Sequence, residues 1–113
     1  MSAAVLRDAA RAALEKKATH VVILDLQKNR SIVDYFLIAS GHNQRQIVAI
    51  ADAMRERLKE LAWRPLHVEG YPRQEWILLD YGDFVVHIFS ERQRAFYDIE
   101  RLWGDANSET VTG

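Results

Sequence analysis

The stretch "EWILLDYGDFVVHIFS", Glu75 to Ser90, decides the fold because it holds two nearly uninterrupted apolar runs joined by a short turn. Successive side chains of a β-strand point to opposite faces of its sheet, so a sheet with one solvated face alternates polar and apolar residues. These runs do not alternate, which predicts a hairpin that is apolar on both faces, so its second face is either covered by the molecule itself or left open to a partner. Gly82-Asp83 supplies the turn residues.

Segments upstream of this hairpin have a similar character. "THVVILDL" from Thr19 and "DYFLIAS" from Asp34 are rich in β-branched and apolar residues, and neither alternates. "PLHVEG" from Pro65 is a shorter strand that ends at Gly70. With the hairpin, these segments predict a sheet of about five strands.

Three segments show the three-to-four-residue apolar spacing of helices. The first is Ala-rich and capped by Ser2, and the longest opens at Asn43 with Gln46 three residues later, a capping-box pattern. Ser90 and Gln93 repeat that pattern before the last helix. The core side of the longest helix comprises Ile47, Ile50, Ala51, Met54, Leu58 and Leu61, and that of the last helix Ala95, Phe96, Ile99, Leu102 and Trp103.

The order of these elements predicts an α/β (α+β) fold with a mixed sheet and three helices. Residues 1–104 form a single domain in this interpretation, and the polar tail 105–113 is disordered. Three helices cannot cover both faces of so apolar a sheet, so part of one face should stay open to a partner.

Composition narrows the functional classes. The chain has 113 residues, no cysteine and a formal net charge of -1, which favours a reducing compartment, by default the cytoplasm, and disfavours a general nucleic-acid coat protein. Its apolar runs are too short to span a membrane.

The two halves of the chain differ in charge. Residues 1 to 57 carry nine basic and six acidic side chains, whereas residues 58 to 113 carry six basic and ten acidic side chains, so the net charges of the halves are +3 and -4. The acidic half could face a basic partner, or its charges could simply be solvated.

Two groups of polar residues invite a catalytic or metal-binding interpretation. Asp80 and Asp83 flank the hairpin turn and could form a metal clamp or an acid/base couple, but aspartate is also a favoured turn residue. His67 and Glu69 share one face of a strand, with His87 on a nearby strand, and could ligate zinc. Half-exposed strand histidines are commoner than zinc ligands, so we expect no metal site.

Ser40-Gly41 lies at a strand-to-helix junction like the glycine turn of nucleotidyltransferases, where helix N–H groups hold phosphate. That chemistry needs two acids at alternate positions of the next strand to bind magnesium. The next strand offers only His67 and Glu69, so catalysis is not expected. A metal-dependent nucleotidyltransferase that uses His67, Glu69 and Asp80 remains the rival class.

Trp76 begins the hairpin directly after the polar loop "YPRQE". Tryptophan and tyrosine are enriched at interface hot spots, which favours Trp76 as a residue that contacts a partner. The sequence is equally consistent with Trp76 as a core residue that caps the sheet. Strand alternation places Trp76, Leu78 and Asp80 on one face and Ile77, Leu79 and Tyr81 on the other.

Three segments together carry a family resemblance: "SIVDYFLIASGHNQRQIVAIAD", "HVEGYPRQEWILLDYGDFVVHIF" and "FYDIERLW". Over about residues 4 to 104 they resemble the ribosomal silencing factor family, known in plants as Iojap. The resemblance implies a nucleotidyltransferase-like fold without the catalytic acidic pair. It also implies a translational repressor that binds the large ribosomal subunit through ribosomal protein fourteen and blocks joining of the small subunit. No enzymatic activity, cofactor, membrane contact or sequence-specific nucleic-acid binding is expected.

The resemblance also assigns site residues. The family segment W-[IV]-[LV]-[LV]-D-x-G-D corresponds to Trp76 through Asp83, and its tryptophan and the residue after its first aspartate, here Trp76 and Tyr81, face the ribosomal protein. We add Leu79, Asp80 and Asp83 to the predicted partner-binding set, with the carboxylates pairing with basic groups. A large-subunit assembly factor is the alternative role, and self-association as a homodimer is an alternative use of the open sheet surface.

Overall fold

The computed structural model describes residues 3–29 and 31–113. Its centre is one six-stranded sheet with the order β3-β4-β5-β2-β1-β6. The strands are β1 (Thr19–Asp25), β2 (Tyr35–Gly41), β3 (His67–Glu69), β4 (Trp76–Asp80), β5 (Phe84–Ser90) and β6 (Asn107–Thr110). The helices are α1 (Ala3–Glu15), α2 (Gln44–Glu60), α3 (Glu91–Tyr97) and the single-turn α4 (Ile99–Leu102), with a 3₁₀ turn at Gln27–Asn29.

The sheet is mixed, as predicted. β2 and β5 are parallel, and the other neighbouring strands are antiparallel. β4 and β5 form the predicted hairpin, and β5 lies at the centre of the sheet with every residue from Phe84 to Phe89 buried. The absence of alternation in this segment therefore reflects a strand covered on both faces. The likeness to nucleotidyltransferases stays a prediction.

The predicted disorder of the tail is wrong, because residues Asn107–Thr110 form β6. This strand pairs antiparallel with β1, from Val22 opposite Thr110 to Asp25 opposite Asn107. All four of its residues are exposed. Its pairing comes from backbone hydrogen bonds to the free edge of β1 and from a bidentate ion pair between Arg7 and Glu109, with N–O distances of 2.7 and 2.8 Å.

Helices α1 and α2 cover one face of the sheet, called here the helix-covered face. α1 contributes mainly alanines, which let it lie close to its neighbours, and Leu6 is its one large buried side chain. The predicted core side of α2 is confirmed except for Leu61, which caps the helix and is exposed. The buried residues of α2 are Ile47, Ile50, Ala51, Met54 and Leu58.

Two of the predicted N-caps are confirmed. The side chain of Asn43 accepts a hydrogen bond from the backbone N–H of Gln46, and Ser90 accepts one from the N–H of Gln93, at 2.8 and 3.1 Å. Each satisfies a helix N–H that has no partner within the helix. The predicted cap of the first helix, Ser2, lies outside the described residues.

The predicted single last helix is wrong. Asp98 adopts a left-handed conformation, with φ of 45°, and separates α3 from α4. The break turns α4 so that Ile99 and Trp103 pack against the sheet, while Phe96 and Leu102 are each 77% exposed. None of the helices in the described part of the chain is long and apolar enough to cross a bilayer.

Candidate protein-docking surface

The sheet face opposite α1 and α2 carries the apolar surface that the helices cover least. β4 presents Trp76, Leu78 and Asp80 on this face, in register with Phe89, His87 and Val85 of β5. The short helices α3 and α4 contribute no fully buried residue, and Trp76, Leu78 and Phe36 are only half-buried. The sequence prediction that part of the sheet stays uncovered therefore holds on this side.

Six rings on this side contact one another, and we call them the aromatic face. Trp76 stacks on Phe89 with ring centroids 4.8 Å apart and contacts Tyr97 of α3 at 4.7 Å. Phe36 of β2 meets His87 edge-on at 4.7 Å and Trp103 at 6.1 Å. The aromatic face therefore comprises Phe36, Trp76, His87, Phe89, Tyr97 and Trp103.

Trp76 combines the two roles that the sequence left open. One side of its ring packs on the molecule's own residues, and its Nε1–H donates to Nδ1 of His87 at 3.1 Å. Its remaining surface is exposed, because the side chain is only half-buried. An ordered, partly exposed indole is the kind of side chain that anchors a protein interface at low entropic cost.

His87 lies beneath this surface and is 4% exposed. Burial lowers the pKa of His87 from 6.5 to about 4, so its ring is neutral at pH 7. Because Nδ1 accepts the indole hydrogen bond, the ring's own hydrogen is on Nε2.

Arg94 of α3 fastens the helical part of the aromatic face to the sheet. Its guanidinium donates to the backbone oxygen of His20, to Oγ of Ser40 at 2.8 Å and to a carboxylate oxygen of Glu100 at 2.8 Å. These bonds link α3 to β1, β2 and α4. Ser40, which the sequence suggested as part of a phosphate-binding turn, instead accepts from Arg94.

Gly41 has a packing role at the same junction. A Cβ added at Gly41 would lie 2.9 Å from Cγ1 of Ile47, a distance that real side chains do not tolerate. The glycine therefore lets α2 approach β2 closely, and its place in the sequence needs no phosphate to explain it.

Two predicted site residues lie on the wrong face for docking. Leu79 is 0% and Tyr81 4% exposed, and both belong to the core of the helix-covered face. Tyr81 stacks on Phe84 at 4.8 Å, and its hydroxyl has no hydrogen-bond partner within the described residues. Burial is the main reason that the pKa of Tyr81 rises to about 12. The prediction that these side chains contact a partner is wrong, because alternation turns them toward the molecule's own core.

Asp80 and Asp83 remain available at the turn end of the hairpin. Oδ1 of Asp80 accepts from the backbone N–H of Gly82 at 2.8 Å, which confirms the turn interpretation for that residue. Asp80 is half-buried and Asp83 exposed. Within residues 3–29 and 31–113 neither carboxylate forms an ion pair.

The residues of the rival metal clamp lie at the sheet edge. On β3, Nε2 of His67 lies 3.4 Å from Oε2 of Glu69, and Asp80 of β4 is directly opposite His67. The described residues nevertheless include no group of three His, Cys, Asp or Glu side chains placed to hold a metal ion.

Several residues of the aromatic face are not evident from the sequence. Its patterns distinguish neither Phe36 nor Tyr97, and they indicate His87 only as a possible zinc ligand. Their association depends on the parallel pairing of β2 with β5 and on the break at Asp98, which local periodicity does not reveal. The signal that was available is the pair of aromatic residues in "DYFLIAS" and "FYDIERLW".

Comparisons with known proteins point to one family. The family model described as "Ribosomal silencing factor during starvation" matches residues 1–113. A ribosomal silencing factor from Halalkalibacterium halodurans is 38% identical over 109 residues, which cover 96% of this chain and 93% of the relative. The chloroplastic protein Iojap of Zea mays is 37% identical over 97 residues, 86% of this chain and 42% of that protein.

Structural similarity agrees with the sequence matches. A crystal structure of a protein from Chromobacterium violaceum superimposes with a TM-score of 0.87 at 32% identity, covering 100% of this chain and 95% of that one.

A more distant sequence relative comes from Mus musculus. It is named "Mitochondrial assembly of ribosomal large subunit protein 1" and is 26% identical over 92 residues, which cover 79% of this chain and 40% of that protein.

Proposed function

The chain belongs to the family of ribosomal silencing factors and is thus a ribosome-associated regulator of translation, and we propose that it represses translation by occupying the large subunit where the small subunit must join. In this proposal the aromatic face docks on the large subunit through ribosomal protein fourteen. The bound chain then stands as a steric obstacle between the subunits.

One observation carries the docking site: Trp76 stacks on Phe89 and donates to His87, and part of its side chain is still exposed. Hot spots of protein interfaces are enriched in such residues, ringed by contacts that exclude water. Tyr97, which contacts Trp76, and Phe36 and Leu78 on the same face are partly exposed and would supply the surrounding contacts.

Charge supports a basic protein as the partner. Asp80 and Asp83 lie at the turn end of the hairpin and form no ion pair with any described residue, and basic groups of a ribosomal protein would pair with them and set the register of docking. The same carboxylates disfavour direct contact with the phosphates of ribosomal RNA, which agrees with the expectation of no sequence-specific nucleic-acid binding.

The relatives support a regulatory role without turnover, since they are named as silencing factors. We therefore assign no catalytic residue, cofactor or metal. Its bacterial relatives are consistent with a site of action on cytoplasmic ribosomes.

A second role has one observation in its favour. The mouse relative is named for assembly of the mitochondrial large subunit, so an assembly factor that uses the same surface is the competing proposal. The two roles differ in the particle that binds the chain, because an assembly factor engages precursors and a silencing factor engages mature subunits.

Sucrose-gradient sedimentation separates these roles. We expect the purified chain, mixed with ribosomes under conditions that dissociate them partially, to comigrate with mature free large subunits and to be absent from joined ribosomes. Association with large-subunit precursors only would favour the assembly role, and comigration with joined ribosomes would contradict occlusion. The oligomeric state of the input is measured alongside, because a homodimer closed through the aromatic face would compete with docking.

A further inference from the structure

His87 carries a hydrogen-bond donor for which the described part of the free molecule offers no acceptor. Its Nδ1 accepts from Trp76, so the neutral ring has its hydrogen on Nε2. That nitrogen is buried and has no partner within the described residues. A buried donor without an acceptor costs stability, and native proteins contain few of them.

The position of this donor connects it with the docking surface. His87 lies directly opposite Leu78 of β4 and Ile38 of β2, and the half-buried ring of Phe36 meets it edge-on. Its neighbours on the face that α1 and α2 leave uncovered are therefore the buried Ile38 and the partly exposed Phe36 and Leu78. Rotation of Phe36 is a small change that would open a path to the ring.

The charges nearby select the kind of acceptor. Asp80 shares this face of β4, one alternate position beyond Leu78, and Glu69 of β3 lies opposite Leu78. An incoming carboxylate or phosphate would be repelled by both, whereas a neutral carbonyl oxygen would not. A peptide or side-chain amide carbonyl therefore fits the site best.

We propose that His87 is the polar anchor of the docking surface and that its Nε2–H donates to an amide carbonyl of the ribosomal protein on which the chain docks. The inference rests on the proposed function. It adds a residue and a partner group to that function. Trp76 provides apolar contact, and His87 donates a hydrogen bond to a carbonyl of the partner next to the Trp76 contact.

The proposal predicts that His87→Leu has a small effect on stability and a large effect on binding. His87→Leu removes a donor that has no acceptor among residues 3–29 and 31–113, so it should not lower the free energy of unfolding by more than the lost bond from Trp76 accounts for. Binding to isolated large subunits should fall about tenfold, because the carbonyl of the partner loses its donor. His87→Gln retains an acceptor and a donor and should recover most of the affinity.

A double-mutant cycle with Trp76→Phe separates direct contact from positioning. Trp76→Phe has no indole N–H, so His87 no longer orients that ring. If the Nε2–H contacts the partner, His87→Leu still weakens pelleting with large subunits about tenfold in the Trp76→Phe background. If His87 acts only by holding Trp76, the second substitution has no further effect and the proposal is overturned.

The remaining outcomes are equally decisive. Unchanged binding of a folded His87→Leu chain rejects the anchor. Should His87→Leu fail to fold, His87→Met replaces it, since its unbranched side chain fills irregular spaces. Failure of the unsubstituted chain to pellet with large subunits contradicts the proposed function itself, and Trp76→Ala with normal affinity contradicts the docking face without reference to His87.

Discussion

Acidification from pH 7 to pH 4 is expected to lower the free energy of unfolding by about 3 kcal/mol through His87 alone. Burial is the one cause of the shift in its pKa from 6.5 to about 4. Between these values the unfolded chain binds a proton at this position and the native chain does not. Stability is therefore fully present above pH 6.5 and is lost as the pH falls toward 4. The loss is a large part of the 5–15 kcal/mol typical of a domain, about a fifth to three fifths of it.

Urea unfolding measured at several pH values tests this prediction. The difference in unfolding free energy between the original chain and His87→Leu isolates this histidine, because every other titrating group is common to both. We expect that difference to change by about 3 kcal/mol across the window. Parallel pH profiles would show that the pKa of His87 is the same in the native and unfolded chains, and would contradict its burial away from water.

Truncation of Trp76 to alanine is expected to weaken binding to isolated large subunits about thirtyfold or more, corresponding to about 2 kcal/mol or more. The substitution removes the exposed part of the ring and also the surface that stacks on Phe89 and supports Tyr97. Stability should fall as well, so binding is measured well below the unfolding temperature and circular dichroism confirms that the variant is folded.

Tyr81→Phe is the matched control for this experiment. It alters an aromatic residue of the same hairpin on the opposite, helix-covered face, and the hydroxyl that it removes is buried and has no hydrogen-bond partner among the described residues. We expect unchanged affinity for large subunits and a free energy of unfolding that is equal or about 1 kcal/mol higher. A loss of binding equal to that of Trp76→Ala would show that the helix-covered face takes part in docking and that the assignment of the surface is mistaken.

The central strands could be predicted because the signal for each lies in its own consecutive residues. The absence of alternation in Phe84 to Phe89 reports burial on both faces, and β5 has that environment between β4 and β2. The caps at Asn43 and Ser90 were predictable for the same reason, since each depends on a side chain three residues from its target.

The elements that escaped prediction depend on distant parts of the chain. β6 consists of "NSET", which has no apolar residue, and exists because β1 offers a free edge about eighty residues earlier. The division of the last helix depends on Asp98 in a left-handed conformation, which the apolar spacing on either side conceals.

The candidate site shows the same division. The alternation of side chains along β4 correctly places Trp76 on one face of the sheet and Leu79 and Tyr81 on the other. It does not indicate which of the two faces the helices cover. That choice is made by the packing of α1 and α2, so Leu79 and Tyr81 entered the predicted site and proved to be core residues. His87 was misjudged as a half-exposed histidine because its burial depends on rings from β2 and β4.

Subunit joining followed by light scattering tests the central claim of occlusion most directly. Free large subunits are incubated with a saturating amount of the chain, small subunits are then added, and the rise in scattering that marks joined ribosomes is recorded. The account predicts that this rise is suppressed in proportion to the large subunits occupied, and that Trp76→Ala at the same concentration suppresses it far less. Joining at the normal rate and extent, with the chain still bound to the large subunit, would contradict it.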